Sequence, residues 1–132
     1  MKNELKQILK LLTILGVLFF THEAKVLGQV SVKAWIEIEG EIHDLSLKAK
    51  LENSGEKALP LNYVLKVKKE GRSGDSNTIQ KGSFIALSHK ICCLSESRMN
   101  LKKDDELIAS LFIYHDSLLV AKDSVVFHRY NY

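Results

Sequence analysis

The sequence predicts an all-β fold: a seven-stranded immunoglobulin-like β-sandwich that follows an amino-terminal signal peptide. Three observations predict it. Apolar and polar residues alternate with period two in several segments, turn-forming residues separate these segments, and no amphipathic helix pattern occurs after residue 28. The chain has 132 residues, which is at most one ordinary domain. Without the signal, about 104 residues remain, close to the usual size of one sandwich.

The predicted signal peptide comprises residues 1–28. Three lysines precede an uncharged apolar run of ten residues at 11–20 (LLTILGVLFF). This run has the length of a signal-peptide core and is too short for a bilayer, which takes about 20 apolar residues. We expect cleavage before Gln29, leaving a domain at 29–132 that is not stably inserted in a membrane. Cleavage after Ala24, or an uncleaved anchor at the inner membrane, is the alternative.

The charge and the cysteines restrict the function further. Four lysines and two glutamates lie in residues 1–28, so the net charge of +3 for the whole chain becomes +1 for the mature part. A nearly neutral domain gives no reason to expect nucleic acid or an anionic membrane as partner. Cys92 and Cys93 are adjacent and cannot link distant segments. We expect two free thiols, one of them facing the core; a redox-active pair is the alternative.

The first three strands are predicted from strict alternation. Residues 30–38 form the first, in which Trp35 interrupts the polar side, and a turn follows at 40–44. Residues 45–51 form the second, which the turn-forming Asn53-Ser54-Gly55 ends. Pro60, the only proline, opens the third strand, where its missing N–H is tolerated.

The second half of the domain is less regular. Residues 71–82 (GRSGDSNTIQKG) predict either a long loop or a short edge strand flanked by loops. Residues 83–94 predict one long strand or two short ones, and 101–105 (LKKDD) predict a charged turn. The alternating segments 109–114 and 118–127 flank a short turn and predict a terminal hairpin.

No arrangement of residues predicts catalysis. The four mature histidines are isolated, so no zinc-ligand spacing exists, and Asp104-Asp105-Glu106 lacks the ligand pattern of a calcium loop. No nucleophile-elbow sequence or phosphate-binding loop occurs. We therefore expect a protein that is not an enzyme, with no catalytic residue, metal site or cofactor.

Rows of basic residues are the most notable polar feature. Lys48 and Lys50 lie on the outward side of the second strand, Lys66 and Lys68 on that of the third, and Arg72 lies just beyond. One interpretation is solubility and protection of sheet edges. The other is a basic strip that binds an acidic or unfolded polypeptide through weak, salt-sensitive contacts. The second and third strands of a sandwich normally belong to different sheets, so the two lysine pairs need not share a surface.

Three segments together resemble one family. They are VSVKAWIEIEG, GRSGDSNTIQKGSF and LSESRMNLKKDDELIASLFIYHDSLLVAKDSV. The central segment and the Leu94-Ser95 and Asn100-Leu101 pairs carry most of the likeness. Together they are similar to the curli-associated periplasmic chaperones, CsgH and more distantly CsgC.

This resemblance implies a seven-stranded immunoglobulin-like sandwich in the periplasm. The domain would bind an unfolded or early-assembling curli-type amyloid subunit transiently and non-covalently, and so inhibit premature assembly. We expect it to act as a monomer. The CsgC branch carries a Cys-X-Cys pair where this chain has adjacent Cys92 and Cys93, so the CsgH-like branch fits better. The residues expected to contact the client subunit are Lys48, Lys50, Lys66, Lys68, Arg72, Ser73 and Asn77.

Two other functions remain open at the level of sequence. The domain would be a structural or adhesive immunoglobulin-like module, at the surface or in the periplasm, that binds a partner and prevents no assembly. Alternatively, it would be a thiol oxidoreductase that uses Cys92 and Cys93. An adhesive module, unlike a chaperone, would not inhibit fibre formation. A thiol oxidoreductase would lose its activity when both cysteines are replaced.

Overall fold

A computed structural model describes residues 30–128 and shows two antiparallel β-sheets. The three-stranded sheet has the order β1-β2-β5 and the four-stranded sheet the order β4-β3-β6-β7. This confirms the predicted all-β sandwich of seven strands. The predicted signal peptide and its cleavage site lie outside the described residues. The strands are β1 Val32–Glu41, β2 Asp44–Asn53, β3 Leu59–Gly71, β4 Gly74–Ala86, β5 Lys90–Met99, β6 Glu106–His115 and β7 Leu118–His128.

The core lies between the inner faces of the two sheets. In β2 the period-two pattern buries every second side chain from Leu45 to Leu51, as the sequence predicts. The central strand β6 buries an equivalent row from Leu107 to Ile113. The buried apolar residues are Ile36, Leu45, Leu47, Ala49, Leu51, Leu61, Leu65, Val67, Ala86, Leu101, Leu107, Ala109, Leu111 and Ile113.

Of the two predictions for the segment at 71–82, the edge strand is confirmed and the long loop is wrong, although the strand is longer than predicted. From Gly74 onward the segment belongs to β4, an edge strand of 13 residues that pairs with β3 from Gly71↔Gly74 to Leu59↔Ala86. Most side chains of β4 are exposed, so backbone pairing with β3 holds the strand without an apolar alternation. The two strand segments predicted within 83–94 also belong to different sheets, since β4 ends at Ala86 and β5 begins at Lys90.

A glycine in β4 makes room for an aromatic ring. Gly82 is paired with Tyr63 of β3, and a Cβ atom at position 82 would lie 2.7 Å from Cε1 of the Tyr63 ring. The same ring packs edge-to-face with Phe84 at a centroid distance of 6.2 Å. Tyr63 therefore covers the gap that the missing side chain leaves in the edge strand.

Polar side chains bridge the two long sides of the sandwich. On one side, the backbone N–H of Ile36 in β1 donates to Asp123 Oδ2 of β7 at 2.8 Å. On the other, Gln80 Nε2 of β4 donates to Ser97 Oγ of β5 at 3.3 Å, and Ser95 Oγ donates to Gln80 Oε1. These bonds connect edges that belong to different sheets, and the bond from Ile36 satisfies a backbone N–H that β-pairing leaves free.

The described residues contain no helix with the length and hydropathy that crossing a membrane requires.

Candidate functional site

The two predicted lysine pairs lie on different sheets. Lys48 and Lys50 are on the outer face of the three-stranded sheet, and Lys66 and Lys68 are on the outer face of the four-stranded sheet. Because the core separates these faces, the four lysines do not form one strip. The sequence did not determine whether the two lysine pairs share a surface, and the sheet topology shows that they do not.

Glutamates from β1 neutralise the lysines of the three-stranded sheet. Lys50 Nζ lies 3.2 Å from Glu37 Oε1, and Lys48 Nζ lies 3.9 Å from Glu39 Oε1. Trp35 Nε1 donates to the other oxygen of Glu37 at 3.0 Å. The hydrogen bonds from Trp35 and then Lys50 hold the pKa of Glu37 below its ordinary value. The outer face of the three-stranded sheet therefore carries paired opposite charges and is not a basic surface.

The outer face of the four-stranded sheet has a different composition. One row across the sheet runs from Lys81 in β4 through Val64 and Phe112 to Lys122 in β7. Lysines therefore stand on both edge strands with apolar side chains between them. In the next row Lys66 Nζ lies 5.6 Å from the centroid of the Phe112 ring, within the range of a cation–π contact.

Large apolar side chains are exposed on this face. Ile79 is 59% and Val126 57% exposed, and they are two of the seven exposed large apolar residues in the described part of the chain. The solvent side of an antiparallel sheet is normally polar, and exposed apolar patches commonly mark interaction sites. We call this surface the apolar–lysine face; it comprises Val64, Lys66, Lys68, Ile79, Lys81, Ile108, Phe112, Lys122 and Val126.

Most of the lysines on the apolar–lysine face are free of ion pairs. Among residues 30–128, Lys66, Lys81 and Lys122 have no carboxylate within ion-pair distance. Lys68 differs, since its Nζ lies 2.8 Å from Glu70 Oε2. That contact raises the pKa of Lys68 and lowers the pKa of Glu70. Three unpaired ammonium groups beside apolar surface favour a partner that brings both acidic and apolar groups.

The other predicted site residues lie near one end of the same sheet. Arg72 and Ser73 form the exposed turn between β3 and β4, and Asn77 pairs directly with Lys68. Arg72 Nε lies 3.7 Å from Asp104 Oδ2, and the arginine side chain is 89% exposed. The structure therefore brings together five of the predicted residues and separates Lys48 and Lys50 from them.

Sequence reasoning missed several residues of this face. Lys81 and Lys122 join it only because β4 and β7 pair with the central strands β3 and β6. Phe112 lies on the polar side of the predicted alternation at 109–114, and this was the available signal. A strand whose two faces are both apolar indicates that its outer face is either covered or used for binding.

The two cysteines point to different sides of β5. Both are free thiols; Cys92 packs against the core and Cys93 is exposed, as the alternation predicts. Burial, followed by the neighbouring Cys93, raises the pKa of the Cys92 thiol, which makes it a weaker nucleophile. Within residues 30–128, no three His, Cys, Asp or Glu side chains are placed to hold a metal ion.

Comparison with solved structures identifies the fold. The E. coli curli protein CsgC matches with a TM-score of 0.62 and 15% identity, covering 71% of this chain and 97% of CsgC. The chain has the fold of CsgC. R. palustris CsgH matches with a TM-score of 0.53 and 18% identity, covering 69% of this chain and 89% of CsgH. The resemblance stated from the sequence is thus confirmed at the level of fold.

Other matches to this fold are parts of much larger proteins. A putative β-galactosidase from Bacteroides fragilis matches with a TM-score of 0.54 and 11% identity, over 74% of this chain and 17% of the galactosidase. This match shows only that the same sandwich occurs as one part of a large protein. No family model and no curated protein sequence matches the chain.

Proposed function

We propose that this protein is an exported, periplasmic factor that binds an unfolded or early-assembling curli-type fibre subunit and delays its assembly. The observation that supports the proposal is the apolar–lysine face, an exposed sheet surface of apolar and unpaired basic side chains, on a fold shared with curli proteins. The domain would act as a binding module without catalysis, ATP or metal.

Binding on this face has a simple physical basis. Amyloid subunits contain segments of high β-propensity that stack once a nucleus forms. Ile79, Phe112 and Val126 offer apolar contact to such a segment, and Lys66 and Lys122 attract its acidic groups. A client segment held there is withheld from a growing nucleus. Because nuclei are rare, transient binding of early species would delay assembly at a low ratio of factor to subunit.

A fibrillation assay tests the proposal. A curli-type subunit is allowed to assemble with a substoichiometric amount of the protein, and the lag before the rise of thioflavin fluorescence is measured. We expect the wild type to extend the lag. The variant Lys66→Gln with Lys122→Gln removes two charges beside Phe112 and should lose most of this extension.

The matched control is Lys48→Gln with Lys50→Gln, which removes the same charge from the three-stranded sheet. We expect it to extend the lag like the wild type, provided that circular dichroism shows every variant to be folded. A wild-type protein that binds the subunit but leaves the lag unchanged would instead be an adhesive module. Equal losses in both double variants would remove the apolar–lysine face from the mechanism.

A further inference from the structure

Within residues 30–128, no strand pairs with the outer edge of β4. From Gly74 to Ile79 every residue is exposed, whereas the β1 edge has Asp123 bonded to the N–H of Ile36. The bonds of Gln80 to β5 are made by its side chain, so they occupy no backbone group of β4. An edge strand with unpaired backbone groups is a template for another strand. β4 contains no proline, and no bulge interrupts its pairing with β3.

The pairing with β3 determines which backbone groups of β4 are free. Gly71 and Gly74 form the first pair beyond the two-residue turn, and such a pair exchanges its hydrogen bonds. Since the pattern alternates, every second residue directs its N–H and C=O away from β3. Between Gly74 and Gly82, the residues whose backbone groups face the open side are Asp75, Asn77, Ile79 and Lys81.

We propose that β4 pairs with β4 of a second copy of this chain, antiparallel, about a two-fold axis at Thr78. In this register Asp75 of each copy lies opposite Lys81 of the other, and Asn77 lies opposite Ile79. All four of these residues present free backbone groups, so each facing pair exchanges hydrogen bonds. The axis also places the two Thr78 side chains opposite each other, a favourable cross-strand pair.

Charge complementarity indicates both that the partner is a second copy of this chain and which residues of the two β4 strands face each other. β4 carries one acidic and one basic residue between Gly74 and Gly82, and only an antiparallel copy centred on Thr78 brings them together. Moving the axis by one residue, to Asn77 or Ile79, leaves both charges opposite uncharged side chains. A C2 interface must be self-complementary, and this strand has that property.

The assembly would be weak and reversible. Pairing extends over residues 74–82 of each copy, so the contact is small compared with a stable interface of about 1,600 Å². It would join the two four-stranded sheets into one and double the apolar–lysine face. This differs from the monomer expected from the sequence. The inference does not depend on the proposed function.

Disulfide trapping tests the register. In a Cys92→Ala, Cys93→Ser background, Thr78→Cys places two thiols across the axis, where facing Cα atoms are about 4.5 Å apart. Ser76→Cys is the matched control, because the two thiols would be about 13 Å apart along the strands. We expect covalent dimers from Thr78→Cys and far fewer from Ser76→Cys under mild oxidation. Equal yields would overturn the register.

A charge exchange followed by sedimentation tests the pairing without new thiols. We expect the weight-average mass of the wild type to rise with concentration. Asp75→Lys or Lys81→Asp alone should weaken dimerisation about tenfold, because each puts like charges opposite each other twice. The combined exchange should restore it. If the wild type stays monomeric at every concentration, the proposal is wrong, and the β4 edge would instead be available to pair with a strand of another protein.

Discussion

At the scale of the residue, Asn53 shows how one polar side chain organises a connection. It is fully buried at the end of β2. Its Nδ2 donates to the carbonyls of Lys57 and Ala86, each at 2.9 Å, and its Oδ1 accepts the N–H of Gly55 at 2.9 Å. Two backbone groups of the β2–β3 connection and one at the end of β4 thus depend on one amide. The sequence predicts only that this asparagine ends a strand.

Replacing Asn53 should be costly. Asn53→Ala removes the partner of the buried Ala86 carbonyl and of the part-buried Lys57 carbonyl and Gly55 N–H, so we expect a loss of about 3 kcal/mol in the free energy of unfolding. Asn53→Asp should also destabilise, because a carboxylate cannot donate to the two carbonyls. Urea denaturation followed by tryptophan fluorescence measures both. The exposed Asn77→Ala serves as the control, and a similar small change at both positions would contradict this account.

At the scale of the element, predictability follows the burial of each strand. The pattern of β2 is fully explained by one buried face, so its extent and orientation could be predicted from the sequence. β4 is an edge strand whose side chains are mostly exposed, so its sequence carries turn-like residues and only its backbone pairing defines it. The alternation of apolar and polar residues therefore predicts strands that bury one face in the core. It does not predict strands that are stabilised mainly by backbone hydrogen bonds to a neighbouring strand.

Edge strands also contain residues whose role depends on a distant element. Asp123 of β7 stands opposite the buried Leu111 and so faces inward, and its carboxylate accepts the N–H of Ile36 across the sandwich. An inward-pointing charge on an edge strand discourages pairing with other chains. In the sequence Asp123 is only one more polar residue in an alternating strand.

Removing this bridge should destabilise the β1–β7 side. We expect Asp123→Ala to lower the free energy of unfolding by about 1 to 3 kcal/mol, because a half-buried N–H loses a charged acceptor. Asp123→Asn keeps an acceptor and should cost less. Ser124→Ala on the outer face is the control. Hydrogen exchange at Ile36 provides a direct reading; unchanged protection of that amide in Asp123→Ala would show that the bond is dispensable.

At the scale of the whole molecule, the candidate site is a product of topology. The sequence predicts outward lysines on the second and third strands, but their distribution over two faces follows from the sheet orders. Lys81 and Lys122 come from edge strands on opposite sides of the four-stranded sheet and meet in one row with Phe112. Such rows consist of residues distant in the chain, and a period of two in each strand does not specify which strands become neighbours.

The uneven distribution of charge gives a test at this scale. Exposed charges are screened by salt, with a Debye length of about 10 Å at 0.1 M, whereas apolar contact is not. If the apolar–lysine face binds the client subunit, the wild-type extension of the fibrillation lag should shrink with added salt yet persist. Lys66→Gln with Lys122→Gln should leave a smaller, less salt-dependent extension. Lys48→Gln with Lys50→Gln should keep the wild-type dependence, because those lysines are already paired with Glu39 and Glu37. Identical salt dependence in all three proteins would show that the unpaired lysines do not steer the encounter.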